Sequence, residues 1–159
     1  APAGSDGLRF WPFMVSGGAE GLPPGMPGRL DGLRLSHEKG HVLRAVVEGL
    51  ALELSRYLGF FTDAGTAVDR LIMSGGATES RVTPRILADC TGVPVECLTE
   101  PDASALGACV LGRVLCESAT NLAKVSEEMT PTRNAFRPGS DAETYGEMSE
   151  EYVRSLPGL

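Results

Sequence analysis

Between Val42 and Leu58 the apolar residues Val42, Leu43, Val46, Val47, Leu50, Leu54 and Leu58 recur at intervals that line one face of an α-helix. With Ser36 as its N-cap and Gly59 as its stop, this spacing predicts a helix over 37–59. "FFTDAGTA" then follows as a loop or frayed end. Further on, "RLIM" reads as a short buried strand and "SGGATES" as a Gly-rich turn. "RVTPRILADCTG" reads as a helix beginning near Arg81, with Pro84 in its first turn. "PVECL" reads as a second strand, which completes a β-turn-α-β unit. Another helix is expected over 104–124. Its small residues Ala105, Gly107, Ala108 and Gly112 permit close approach to a neighbour. A last helix, "DAETYGEMSEEYVRSL", lies within a polar tail over 125–159. "LRFWPFMV", near the start, reads as a strand or an extended core segment.

The stretch 1–34 is dense in glycine and proline, as in "VSGGAEGLPPGMPGRLDG", and is expected to be an irregular surface or interface segment. The whole chain of 159 residues is 42% hydrophobic, enough for one domain with its own core. Its net charge of -7 and pI near 4.8 argue against a nucleic-acid backbone or an anionic membrane as general partner. No apolar run approaches the roughly 20 residues of a membrane span. "APAGSDG" has no basic n-region or apolar h-region, so no signal peptide is expected. The chain starts without an initiator Met and is expected to be an excised piece of a longer protein. Cys90, Cys97, Cys109 and Cys116 form no C-x-x-C pair. They are expected to be small buried thiols in a reducing cytoplasm.

"HEKGH", His37 to His41, satisfies the H-E-x-x-H pattern of zinc hydrolases. Such a site needs both histidines within one helix, a third ligand and a glutamate acting on the metal-bound water. Here Ser36 would put His37 in the first turn, and Gly40 weakens the helix between the pair. The chain has only two histidines, and Glu48 and Glu53 lie too far along the same helix to close a tetrahedron. The match is therefore read as accidental, with no metal site expected.

"LIMSGGATES" carries more chemistry. Successive glycine peptides let backbone N–H groups converge on an anion with no Cβ in the way. The following helix N-terminus favours negative charge. Ser74, Thr78 and Ser80 add hydroxyl groups. The stretch is neither a P-loop nor G-x-G-x-x-G, and a purely structural turn would have the same spacing.

The order of these pieces resembles the C-terminal portion of the FGGY carbohydrate kinases, in a xylulokinase-like pattern. The segments that carry the likeness are "GLRLSHEKGHVLRAVVEG", "SGGATESRVTPRILADCTGVPV" and "EPDASALGACVLG", and together they span roughly 7–124. The resemblance implies an α/β fold, part of an actin-like, ribonuclease H-like ATPase domain, from the C-terminal half of a two-domain sugar kinase. It divides the chain into an interface segment at 1–34, a nucleotide-binding core at 35–124 and a tail at 125–159. It implies ATP and Mg²⁺ as cofactors and a pentulose or related sugar as phosphoryl acceptor. Gly75, Gly76, Ala77 and Ser80 would contact the nucleotide. Glu20, in "GGAEGLPPG", loosely aligns with a substrate-side position.

Two positions depart from the pattern: Glu79 and Thr83 stand where the family often has Arg and a large apolar residue. The family's catalytic Asp and its Gly-Thr-Ser phosphate segment precede the region seen here. Asp63, Asp69, Asp89 and Asp102 match no such motif. The resemblance thus implies a cytoplasmic enzyme whose N-terminal kinase domain is the required partner, and a chain that is inactive alone. Self-association as a homodimer through uncovered apolar surface is a further expectation. The alternative is a non-catalytic nucleotide-binding or scaffold module of the same fold.

Overall fold

A computed structural model describes residues 1–14, 21–117 and 121–157. Two small sheets and five helices make up the described chain. β1 (Arg9–Trp11) pairs antiparallel with β2 (Arg29–Asp31). β3 (Leu71–Met73) runs parallel to β4 (Val95–Leu98), and β5 (Thr132–Phe136) pairs antiparallel with β4 on its other side. The expected β-turn-α-β unit is present as β3, α2 (Thr83–Thr91) and β4. Pro84 stands in the first turn of α2, and Gly92 ends the helix in the left-handed region at φ 69°.

The long helix α1 runs over Lys39–Asp63 rather than 37–59. Ser36 is not its cap. Glu38 is, in a capping box whose other half is His41 rather than the usual Glu or Gln. Gly59 does not stop the helix either, because one exposed glycine costs only about 1 kcal/mol. The left-handed Gly65 follows the last turn, at φ 79°. The helix expected over 104–124 is two helices. α3 (Ala103–Cys116) ends early, and Asn121 caps α4 (Leu122–Met129) by accepting the Lys124 N–H. β5 was not anticipated.

α5 (Ala142–Arg154) lies in the tail read as polar, yet it buries Tyr145, Met148 and Tyr152. With Leu156 these residues join Trp11, Phe13, Ala51, Leu52, Ile86 and Cys90 in the main core. Trp11 is stacked on Tyr152, centroids 4.9 Å apart, and the Arg29 guanidinium covers its ring at 4.5 Å. Gly49 allows the backbone of β1 to lie on α1, since a Cβ there would come within 2.2 Å of the Phe10 carbonyl oxygen. Cys90 and Cys97 are buried as expected, but Cys109 and Cys116 are exposed. They lie on α3, whose packing partner among the described helices is α4.

Candidate functional site

β3 delivers the chain through Ser74 to Gly75, which adopts φ 82° and ψ -178°. That combination is open to glycine and strained for any residue with a Cβ. The Gly75 N–H donates to the Pro101 carbonyl at 2.8 Å, tying the turn to the loop after β4. This N–H is therefore committed and cannot serve an anion, so the sequence-based picture of two converging glycine N–H groups holds only in part. Gly76–Glu79 form a single 3-10 turn, closed by Thr78, whose N–H and Oγ1 both donate to the Gly75 carbonyl at 3.0 and 2.8 Å. The N–H groups of Gly76 and Ala77 start the turn and have no acceptor within it.

A Cβ on Gly75 or Gly76 would meet nothing within 4 Å. The space belongs to a cleft of about 480 Å³, lined by Ser74, Gly75, Gly76 and the start of α3 from Pro101 to Ser104. Asp102 caps α3 by accepting the Ala105 N–H at 2.9 Å. The cleft thus lies between a glycine turn and a helix N-terminus, two features that favour an anionic or strongly polar ligand. Gly75 and Gly76 stand together on its wall. Ala77 and Ser80 do not line it.

The Ser80 hydroxyl accepts from the Val82 and Thr83 N–H groups, at 3.2 and 3.1 Å, and from Thr83 Oγ1 at 3.0 Å. Its main work is to hold the N–H groups that open α2. α2 begins two residues later than expected for this reason. Glu79 forms an ion pair with Arg133 of β5, which fixes the far side of the turn. Glu20 lies outside the described residues. Pro101, Asp102 and Ser104 were not picked out as site residues from sequence. The signal available was the Asp immediately before an apolar, small-residue helix, a capping pattern that marks a helix start.

The two histidines have another task. His37 Nδ1 accepts the Arg34 N–H and His41 Nδ1 accepts the Glu38 N–H, each at 3.0 Å. Their Nε2 atoms face the Asp6 carbonyl at 3.3 Å and the Asp6 carboxylate at 3.1 Å. With Nδ1 accepting, each ring carries its proton on Nε2 and donates it to Asp6. The pair thereby clamps the N-terminal turn to the start of α1. No group of three or more metal-ligating side chains occurs among the described residues.

The rest of the "HVLRAVVEG" stretch is equally structural. Glu48 is only 2% exposed. It accepts from the Gly4 N–H (2.9 Å), Ser5 Oγ (2.7 Å), Arg44 Nε (2.9 Å) and the Tyr145 hydroxyl (2.7 Å). Arg44 also donates to the Tyr145 oxygen at 2.7 Å. Burial, followed by the bond to Glu48, pushes the Tyr145 hydroxyl well above the ordinary tyrosine range.

Fold and cleft define an α/β unit in which a glycine turn after a strand faces a helix N-terminus. Comparison with known proteins makes this specific. Residues 1–116 match the C-terminal domain of the FGGY family of carbohydrate kinases, and the chain belongs to that family. It is 28% identical over 151 residues to a gluconokinase of Bacillus licheniformis, covering 94% of this chain and 29% of that protein. It is 26% identical to a xylulose kinase of Bacillus subtilis, covering 86% of this chain and 28% of that protein. Among solved structures, a xylulose kinase from Rhodospirillum rubrum superposes with a TM-score of 0.79 at 31% identity, over 97% of this chain and 31% of that one. The chain therefore spans under a third of the length of these relatives. Its α/β architecture is the one expected for part of an actin-like sugar-kinase domain. No described helix is long and apolar enough to cross a membrane.

Proposed function

We propose that this chain is the ATP-side portion of a carbohydrate kinase that transfers the γ-phosphoryl group of ATP to a sugar hydroxyl. The observation that carries this reading is Gly75 at a glycine-only conformation, with open space over Gly75 and Gly76 facing the N-terminus of α3. Family membership and kinase relatives support it. Gly75 and Gly76 would let the nucleotide lie against bare backbone, the Gly76 and Ala77 N–H groups would donate to it, and Ser80, outside the cleft, would meet it only where it extends toward α2. The residues present leave room for a nucleotide, since the space over both glycines is open and a side chain on either would project into it. Mg²⁺ would be held largely by the ATP phosphates, and no residue of this chain is assigned to it.

Phosphoryl transfer depends mainly on positioning and charge stabilisation, and this chain would supply the nucleotide half of that positioning. The base that takes the sugar proton must sit within about 3 Å of it. We assign that role to no residue here, so the chain alone is expected to be inactive. An N-terminal kinase domain is the partner this reading requires, with exposed Leu35, Leu111 and Leu115 as apolar surface for it or for a second copy. A cytoplasmic location accompanies ATP as donor. The acceptor proposed is a pentulose or a related polyhydroxy compound, given relatives named for xylulose and gluconate.

The test is sugar-dependent ADP release by the whole protein against xylulose, ribulose, gluconate and glycerol. ADP release with one of them establishes the reading. ATP binding with no turnover on any acceptor would replace it with the non-catalytic module.

A further inference from the structure

A second cleft, of about 610 Å³, lies between α2 and the segment 135–141. Arg81, Arg85 and Arg137 line it, together with Asp89, Asp141 and the Gly139–Ser140 backbone. Its composition is unusual for an acidic chain. Arginines elsewhere are mostly paired, as Arg9 is with Glu151, Arg70 with Glu96 and Arg113 with Glu117. Among the described residues, Arg81, Arg85 and Arg137 have no side-chain partner. The two carboxylates of the cleft are already engaged: Asp89 accepts the Gly139 N–H, and Asp141 lies 3.6 Å from Arg44.

The location sharpens the point. Arg85 stands in the first turn of α2 and Arg81 just before it, and that turn holds no acidic residue. The N-terminal end of a helix already carries positive partial charge, so cations there repel it and anions are favoured. Two guanidinium groups at that end, with a third from the segment after β5, face two carboxylates, of which Asp141 also pairs with Arg44, and leave the cleft with a net positive charge. Guanidinium forks suit the oxygens of phosphate groups. The volume suits a small molecule rather than a polymer.

We propose that this cleft binds a small phosphorylated anion, a diphosphate or the phosphate ester of a polyhydroxy compound, at a place separate from the glycine turn. Arg85 and Arg137 would grip the phosphate oxygens, and Arg81, adjacent to Ser80, would couple the occupied cleft to the α2 cap.

The experiment is calorimetric titration of inorganic pyrophosphate and of glucose 6-phosphate into the whole protein without nucleotide, with glucose as the neutral control. Saturable binding of either anion but not of glucose is expected. Combined Arg85→Gln and Arg137→Gln should weaken it at least tenfold, with thermal melting confirming that the variant is folded. Arg154→Gln, at an exposed arginine outside the cleft, and Gly76→Ala, at the glycine turn, should both retain it. No binding by the wild type, equal loss in Arg154→Gln, or loss in Gly76→Ala with retention in the double variant would each overturn the proposal. A nucleotide site that worked while the anion failed to bind would leave the kinase reading standing and remove only this one.

Discussion

The Tyr145 hydroxyl donates to Glu48 Oε1 at 2.7 Å across 97 positions of sequence. Through that contact the last helix is bonded to the acid that also holds Gly4 and Ser5. One buried carboxylate thus ties together the N-terminus, α1 and α5.

Replacing the two partners should give unequal costs. Tyr145→Phe removes two hydrogen bonds, the one to Glu48 and the one from Arg44, while leaving Arg44 and Glu48 paired, and should cost about 1–2 kcal/mol. Glu48→Ala leaves the Arg44 charge and the Gly4 and Ser5 donors without their acceptor, and should cost about 3–5 kcal/mol. Urea unfolding of both variants checks the order. Equal losses would mean that Glu48 is not the centre of the network.

Gly49→Ala should be destabilising although alanine favours helix. The added Cβ would press on the Phe10 carbonyl oxygen, which belongs to backbone and cannot swing away. A cost of about 1–3 kcal/mol, or more if β1 detaches, is expected in thermal or urea unfolding. A stabilised variant would show that β1 is not seated on α1 as described.

The two glycines of the turn should separate stability from binding. Gly75→Ala forces a Cβ into a strained conformation and should cost about 1–3 kcal/mol. Gly76 has ordinary φ and open space, so Gly76→Ala should change stability by about 0.5 kcal/mol or less. Its Cβ would instead intrude on the nucleotide, lowering ATP affinity in the whole protein. Unchanged affinity, measured by titration of a non-hydrolysable ATP analogue, would move the nucleotide away from this turn.

The cysteines should divide into two reactivity classes. Burial pushes the Cys90 thiol far above its ordinary value and also raises Cys97, whereas Cys109 and Cys116 are exposed. Since the thiolate is the reacting form, iodoacetamide at pH 8 should label Cys109 and Cys116 of this 159-residue chain first. Peptide mapping by mass spectrometry reads the order, and early labelling of Cys90 would contradict its burial.

The histidine clamp gives the last prediction. His41→Ala removes the acceptor of the Glu38 N–H and the tie to Asp6, and should cost about 1 kcal/mol, as loss of a helix cap does. The expected metal analysis shows no stoichiometric zinc in the wild type. A zinc-dependent rise in melting temperature that His41→Ala abolishes would reverse this reading.

Part of the candidate site was legible because its requirements are local. Gly75 and Gly76 stand between a strand and a helix, and glycine in that place signals backbone that a Cβ would disturb. Ser80 was legible as a polar group near the turn, but not as the cap of α2, because a side chain's choice between ligand and backbone depends on where the helix begins. The opposite wall, Pro101 to Ser104, is joined to Gly75 through one hydrogen bond across 26 positions of sequence, and periodicity cannot reveal that pairing.

By itself the amino-acid order determined the features that depend on neighbours a few residues apart. These are the apolar face of α1, the β3-α2-β4 unit with Pro84 at its helical start, and the string of motifs that places the chain among the FGGY kinases. Tertiary structure decided what those residues do. The His37–His41 pair became a clamp on Asp6, Glu48 became a buried junction, and a tail with polar composition supplied Tyr145 and Tyr152 to the core. The physical reason is range. Propensity and spacing act over one or two turns, whereas burial and charge pairing depend on which distant segment arrives opposite, and only the folded chain brings those segments together.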